Sequence, residues 1–255
     1  MRMRAIHIIL VLLLASAALA KGTKVYRSEV LLVPGTNLQQ QVDTAGMNVV
    51  LACAAGETYT AAEIRLQRGQ VLKGNASVWT GVVRPGVNCR VEGVRFSGAQ
   101  SRVILSNCWC VTVRDCVFGT SQVAVAIVGF DSVVDVLVER CRFDLGQYGV
   151  LIEGGAHISI RVRDCSFEGY PFGVAIRGYT IGASVTGCHF ESIRAADIVV
   201  DHDNATSTIL SGNVHIRPVV PVLLVRGNGC SVRDAVIRGP AAPKVEKTFI
   251  RAVIQ

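Results

Sequence analysis

Aromatic residues make up only 6% of this chain of 255 residues, and charged residues only 18%. With so few rings, any stacking surface for a ligand has to be small. No block of Lys or Arg is present, and no basic helix interleaved with aromatics, which argues against a nucleic-acid partner. Past the N-terminus no apolar run is long and unbroken enough to cross a bilayer. Cys108-Trp109-Cys110 has neither a second cysteine pair nor suitable histidines nearby in sequence, so zinc is not expected and no metal is assigned.

The N-terminus carries the three parts of an export signal: Arg2 and Arg4, an apolar run from Ala5 to Leu14, and small residues ending at Ala18-Leu19-Ala20. Residues 1–20 are therefore read as a signal peptide cleaved after Ala20, and the protein as secreted or surface-exposed. Losing Arg2 and Arg4 takes the formal charge from +7 to about +5. A mildly basic chain with scattered charges suits an anionic polysaccharide or an acidic surface better than a nucleic acid.

What the sequence does contain is a repeat. Val-x-x-Cys-x-Phe recurs as Val113 to Phe118, Val138 to Phe143, Val162 to Phe167 and Val185 to Phe190, with weaker copies at Val91 to Phe96, Leu210 to Asn213 and Val232 to Ile237. From Phe96 to Phe190 the successive steps are 22, 25, 24 and 23 residues. Each unit holds a second apolar segment: Val125 to Ile127, Val150 to Ile152, Val174 to Ile176, Ile198 to Val200 and Leu223 to Val225. Short Val- and Ile-rich strands broken by Gly, Asn and Asp cannot bury a face alone, but stacked copies can. This predicts an all-β, single-stranded right-handed parallel β-helix of about seven coils, on the order of 34 Å long at one strand spacing per coil. A β-sandwich gives no reason for like residues to recur at one offset per unit.

Asn37 is placed to cap a short helix over Leu38 to Val42, followed by a strand at Val49 to Leu51 and a turn at Gly56 to Tyr59. Such a helix would cover the open end of the stack. The expected organisation is a signal peptide (1–20), an N-terminal cap with first strands (21–80), β-helix coils (81–238) and a C-terminal cap or tail (239–255). The opening segment and the coil motifs Asp115-Cys116-Val117-Phe118 and Asp164-Cys165-Ser166-Phe167 resemble those of pectate-lyase-like β-helix proteins, over nearly all of residues 30–238. The resemblance implies the fold and leaves function open, since that superfamily includes lyases, hydrolases, epimerases, adhesins and viral spikes.

Four of the nine cysteines, Cys116, Cys141, Cys165 and Cys188, share one offset and are read as an inward ladder of shielded thiols. Parallel side chains on adjacent strands hold Cβ atoms near 4.8 Å, against about 3.8 Å in a disulfide. The pairing of Cys53, Cys89, Cys108, Cys110 and Cys230 stays open at this point.

Chemistry has one obvious place to sit. Val128, Glu153, Arg177, Asp201 and Arg226 form a column just after the second strands, spaced 25, 24, 24 and 25 residues apart and alternating in sign. Its simplest use is an exposed ion-pair ladder. The functional alternative adds Tyr179, His202 and Asp203. Arg177 and Arg226 would neutralise a uronate carboxylate, His202 would take the proton beside it, and Tyr179 would protonate the leaving oxygen, with Glu153, Asp201 and Asp203 contacting substrate. Tyr148, Phe172 and Tyr170 are candidates for a stacking platform.

Asp201-His202-Asp203 is similar to the Asp-Pro-His-Asp signature of alginate C5-epimerases but lacks the proline. Val200-Asp201-His202 is similar to the Ile-Asp-His of pectate lyases but stands in another register. The Asp-Asp, Gly-His-Gly and Arg-Ile-Lys motifs of polygalacturonases are missing. Acids interrupted by arginine give calcium no support, and no cofactor is expected. Asn75-Ala76-Ser77 and Asn204-Ala205-Thr206 are glycosylation sequons, usable if the host is eukaryotic or the protein passes through one. The reading that fits these features is a protein recognising polysaccharide or a cell-surface glycan without catalysis of its own, and an oligomer is compatible with it. The alternatives are a uronate lyase or C5-epimerase, and a structural component of a wall, envelope or virion.

Overall fold

A chain that must turn sharply at every level of a parallel stack needs a residue that tolerates a left-handed backbone, and this one supplies it on schedule. Gly93, Asp115, Arg140, Asp164, Gly187 and Gly212, each just before the cysteine position of the repeat, have φ between 49° and 64°. The Val-x-x-Cys-x-Phe motif therefore bends in its middle. Strands such as Trp109–Arg114, Val133–Glu139 and His157–Arg163 precede the corner, and Val117–Gly119, Arg142–Asp144 and Ser166–Glu168 follow it. A third strand completes the coil, as in Val123–Gly129, Tyr148–Gly154, Phe172–Ile176 and Ala196–Val200. Each coil thus contributes to three sheets, where the sequence pattern predicts two strands; the corner inside the motif splits one expected strand into two.

The computed structural model describes residues 28–129, 132–202, 205–216, 223–225, 231–238, 244–245 and 249–254. Residues 1–20, read as an export signal, and Asp203, Asn204, Arg226 and Cys230 lie outside the described residues. Every strand pairs in parallel with its counterpart one coil away. Val113, Val138, Val162, Val185 and Leu210 align on the first sheet. Phe118, Phe143, Phe167 and Phe190 align on the second, and Ile127, Ile152, Ile176 and Val200 on the third. The result is an all-β parallel solenoid of about eight coils. That exceeds the expected seven because stacking starts earlier: Tyr59 and Trp79 already occupy the level positions beneath Phe96. At the other end, Phe249–Ile254 pairs with Ser231–Arg238 and continues the stack.

The single helix among the described residues, α1 (Leu38–Ala45), is capped by Asn37, whose side-chain oxygen accepts from the Gln40 N–H at 3.1 Å. Leu38 and Val42 are buried in the main core. The buried Gln70 amide donates to the carbonyls of Val42 (2.9 Å) and Gly46 (2.7 Å), satisfying groups that the helix end leaves open.

Inside, like stacks on like. The rings of Phe96, Phe118, Phe143, Phe167 and Phe190 lie 4.6 to 5.1 Å apart and within 6° of parallel. The opposite wall must be thin to admit them. A Cβ on Gly149 would approach Phe167 to 2.5 Å, and one on Gly173 would approach Phe190 to 2.6 Å. One coil further on, both partners change together: Asp197 follows Gly173 in the wall, and His215 follows Phe190 in the ring column, stacked 5.2 Å from it. His215 Nδ1 and Asp197 Oδ2 are 2.6 Å apart, and both residues are buried. Burial pushes the Asp197 carboxyl up, opposed by the hydrogen bond from His215.

Cys116, Cys141, Cys165 and Cys188 are buried at the corner, each thiol donating to the carbonyl two residues earlier at 3.2 to 3.5 Å. Asn213 takes the next level, accepting from the Cys188 N–H and donating to the Val185 carbonyl, both at 3.0 Å. Cys53, Cys108 and Cys110 carry free thiols. Burial pushes Cys53 up to about 11 and Cys108 up to about 12.

Two measurements follow from this interior. His215→Phe alone leaves a buried carboxylate without its partner and is expected to cost about 3–5 kcal/mol in urea unfolding. Adding Asp197→Gly rebuilds the Gly–Phe unit of the preceding coils and should recover most of the loss. A double variant no more stable than the single one would mean that the two positions are not coupled. For the raised thiols, the unfolded chain ionises first, at about pH 8.5. Their contribution is complete below that pH and is lost as pH rises through 11 to 12. The slope of unfolding free energy against pH above 8.5 should be shallower in Cys53→Ala/Cys108→Ala than in the native chain.

Candidate functional site

In a strand of a solenoid, alternate residues face the core and the outside, so an outward face should be polar. The third sheet departs from this. Its strands, Val123–Gly129, Tyr148–Gly154, Phe172–Ile176 and Ala196–Val200, are nearly continuous apolar runs. That is the pattern of strands covered on both sides. Ile104, Ala126, Leu151, Ala175 and Val199 align on the outward column. Leu151, Ala175, Ala196 and Val199 form an apolar cluster separate from the main core, with Val123, Tyr148 and Phe172 packed against it.

Tyr148 and Phe172 are in register on neighbouring coils and stack with centroids 5.1 Å apart and planes 10° from parallel. Arg177, at the end of the Phe172 strand, turns its guanidinium back over both rings, 5.2 Å from the Tyr148 centroid and 5.3 Å from that of Phe172. Its Nη1 donates to the Tyr148 hydroxyl at 2.8 Å, while Nε is buried without a hydrogen-bond partner. The three side chains make one shelf, half buried and open on its outer edge.

The other candidates fall in different places. Glu153 is exposed one coil before Arg177, and no ion pair joins them; the guanidinium lies instead over the two rings. An alternating ion-pair ladder does exist, at the corner between the first two sheets. Glu92, Arg114, Glu139 and Arg163 align there, with Arg114 on Glu92 at 2.7 Å and Arg163 on Glu139 at 2.6 Å. Arg140 clamps Asp115 through two bonds of 2.8 and 3.0 Å and holds its carboxyl below the usual carboxylate range. The expected column is thus without an ion pair between Glu153 and Arg177, while its last member, Arg226, lies outside the described residues.

Asp201 follows Arg177 in register, its N–H bonded to the Ile176 carbonyl at 2.8 Å, and His202 comes next, partly exposed. Tyr179 is 38% exposed and lies past the turn at Gly178, so it is not part of the shelf. Tyr170 is wholly buried and cannot contact a surface ligand, which removes it from the expected platform. Asn75 is exposed at a corner with φ of 50°, its amide donating to the Cys53 carbonyl at 2.9 Å. Among the described residues no group of three His, Cys, Asp or Glu is placed to hold a metal ion, and no helix is long and apolar enough to cross a membrane.

No family model matches the chain, and no curated protein matches it. Solved structures do. A tailspike of Escherichia coli bacteriophage HK620 bound to a pentasaccharide aligns over 89% of this chain with a TM-score of 0.55 and 12% identity. A second variant of that tailspike aligns over 89% with a TM-score of 0.53 and 11% identity. An alginate lyase from a Paenibacillus species aligns over 89% with a TM-score of 0.53 and 12% identity. The fold is the right-handed parallel β-helix of the pectin-lyase-like proteins. This chain spans 53% and 56% of the two tailspike chains and 97% of the lyase chain. At such identities the likeness is one of fold alone.

The shelf makes a direct prediction. Arg177→Ala removes a guanidinium lying over two rings and should lower stability by about 1 kcal/mol in urea unfolding. Arg177→Lys should restore less than half of that, because an ammonium cannot lie flat over both rings while donating to Tyr148. Unchanged stability in both variants would show that the guanidinium is not held there.

Proposed function

We propose that this protein recognises a polysaccharide or cell-surface glycan on the outer face of its third sheet, outside the cell and without catalysis of its own. The observation that carries the reading is the Tyr148–Phe172–Arg177 shelf set on an apolar outward column. A sugar ring has an apolar C–H face and a polar rim. A flat aromatic edge beside a charged, hydrogen-bonding group complements both. The fold neighbours support the ligand class, since one was solved with a pentasaccharide bound and another is an alginate lyase. The export signal expected in residues 1–20 supports the location.

Binding without turnover is favoured by the state of Arg177, one of the two arginines such chemistry would use, Arg226 lying outside the described residues. A uronate lyase or epimerase needs a cation free to neutralise the carboxylate beside the abstracted proton. Arg177 is instead engaged by Tyr148 and Phe172, and Tyr179 lies beyond the turn. A second reading is kept because Asp201-His202 directly follows Arg177 in the stack, which sets a candidate base one coil from a candidate cation.

The test incubates the purified chain with alginate, pectate, hyaluronan and heparan-type polymers while following binding, absorbance from new unsaturated ends and proton exchange at C5. The expected result is binding without turnover, weakened about tenfold or more by Tyr148→Ala. Turnover that disappears in His202→Ala would replace this reading with a lyase or epimerase. Neither binding nor turnover would leave the structural role.

A further inference from the structure

The outward column that carries the shelf does not end at Ile104. Towards the N-terminus the same column continues through Arg84 to Arg65, which align on adjacent coils. Here the apolar face gives way to a shallow, open cavity of about 280 Å³ lined by Arg65, Leu66, Arg84, Pro85, Gly86, Ile104 and Ser106. Glu63 stands between the two arginines, accepting from the Nε–H of Arg84 at 2.7 Å and of Arg65 at 2.8 Å. These bonds hold the Glu63 carboxyl below the usual range and fix both guanidiniums by one edge. The Nη groups of both arginines make no hydrogen bond among the described residues. Two cations share one anion, so the cluster keeps a positive charge and a row of N–H donors at the cavity. Its other walls are Leu66, Ile104, a proline and a glycine, with one hydroxyl from Ser106.

A row of guanidinium N–H groups matches the two oxygens of a carboxylate or the three of a sulfate. Three coils separate the level of Arg84 from that of Leu151 and the shelf, about 14 Å at one strand spacing per coil. The outward residues between them in this column, Ile104 and Ala126, are apolar and nearly buried, so the column itself sets no charged side chain between the two places. We infer that the Arg65–Arg84 cavity is a second subsite that takes the carboxylate or sulfate of an acidic polysaccharide lying along the axis of the solenoid, with another sugar of the same chain on the shelf. The inference rests on the proposed glycan recognition and adds the ligand's charge, its direction on the protein and the residues that read it.

The probe is an oligouronate long enough to cover three coils, compared with the same oligomer after reduction of its carboxyls to alcohols. Binding is followed by calorimetry and by the Nε–H resonances of Arg65 and Arg84. The native chain should prefer the acidic form by about tenfold or more, with those resonances moving only for it, and the preference should shrink as salt rises. Arg65→Gln/Arg84→Gln should abolish the preference and leave the affinity for the reduced oligomer unchanged. Tyr148→Ala should weaken both forms alike. An oligosulfate that moves the same resonances would identify sulfate as an equivalent anion. A preference retained in the double arginine variant, or equal binding of both forms by the native chain, overturns the subsite while glycan recognition stands. Failure of the native chain to bind either form overturns both.

Discussion

Everything in this molecule follows from one constraint, that each inward side chain sits between its own equivalents on the coils above and below. Parallel register makes a side chain's nearest neighbours the residues one coil away in sequence, so a residue type that packs well against itself is repeated. Phenylalanine satisfies this with rings 4.6 to 5.1 Å apart, each pair contributing about 1 kcal/mol beyond its buried area. The constraint also runs across the interior, because a ring on one wall fixes the size of the residue opposite. Gly149 and Gly173 answer Phe167 and Phe190. Where the ring becomes His215, the wall changes to Asp197, and the polar pair fills the same space with a hydrogen bond. This paired change is what a packed interior demands when one member turns polar.

A second consequence concerns the outside. Since the stacked interior already fixes the register, outward positions are free to serve other ends, and the sheets use them differently. The corner after the first sheet carries the ion pairs of Glu92, Arg114, Glu139 and Arg163, which hold adjacent coils together at the surface. Arg140 occupies a left-handed backbone position that favours glycine or asparagine, and its two bonds to Asp115 offset that strain. The third sheet is apolar on both sides, which adds nothing to register that the core does not already supply.

Much of the fold was legible because a parallel solenoid turns spatial neighbours into fixed intervals of sequence. The alignment of Cys116, Cys141, Cys165 and Cys188, the phenylalanine column and the Asn37 cap could all be read as spacings. The corners could not. Gly93, Asp115 and Arg140 share one backbone conformation but no side-chain chemistry, so the extra strand per coil was hidden within the repeat. The site was legible only in part. The Tyr148–Phe172 pair follows from one equivalent offset, but the direction of Arg177 does not. A column of alternating charge suggested a partner at Glu153, whereas two rings and a hydroxyl lie within reach on the strand's own outer face. Tyr170 was misplaced because a tyrosine beside a turn reads as exposed until its side chain is seen to enter the core. The outer apolar column had a signal in the unbroken runs of the third strands, which alternation would have interrupted.

The outward column is apolar yet covered. Leu151, Ala175 and Val199 are nearly inaccessible although they point away from the core. Around Leu151 and Ala175 the cover comes in part from the shelf, in which the Arg177 guanidinium lies over two stacked rings. A guanidinium is weakly hydrated on its faces and strongly hydrogen-bonding at its rim. It can therefore shield an apolar strip while presenting donors to whatever approaches edge-on. The side chains that keep the third sheet from being an exposed apolar patch are thus the same ones that give it a polar edge. On the proposed reading, a binding surface in this fold needs no loops to build it: the coils supply the outer wall, and an aromatic pair with one arginine marks a place on it.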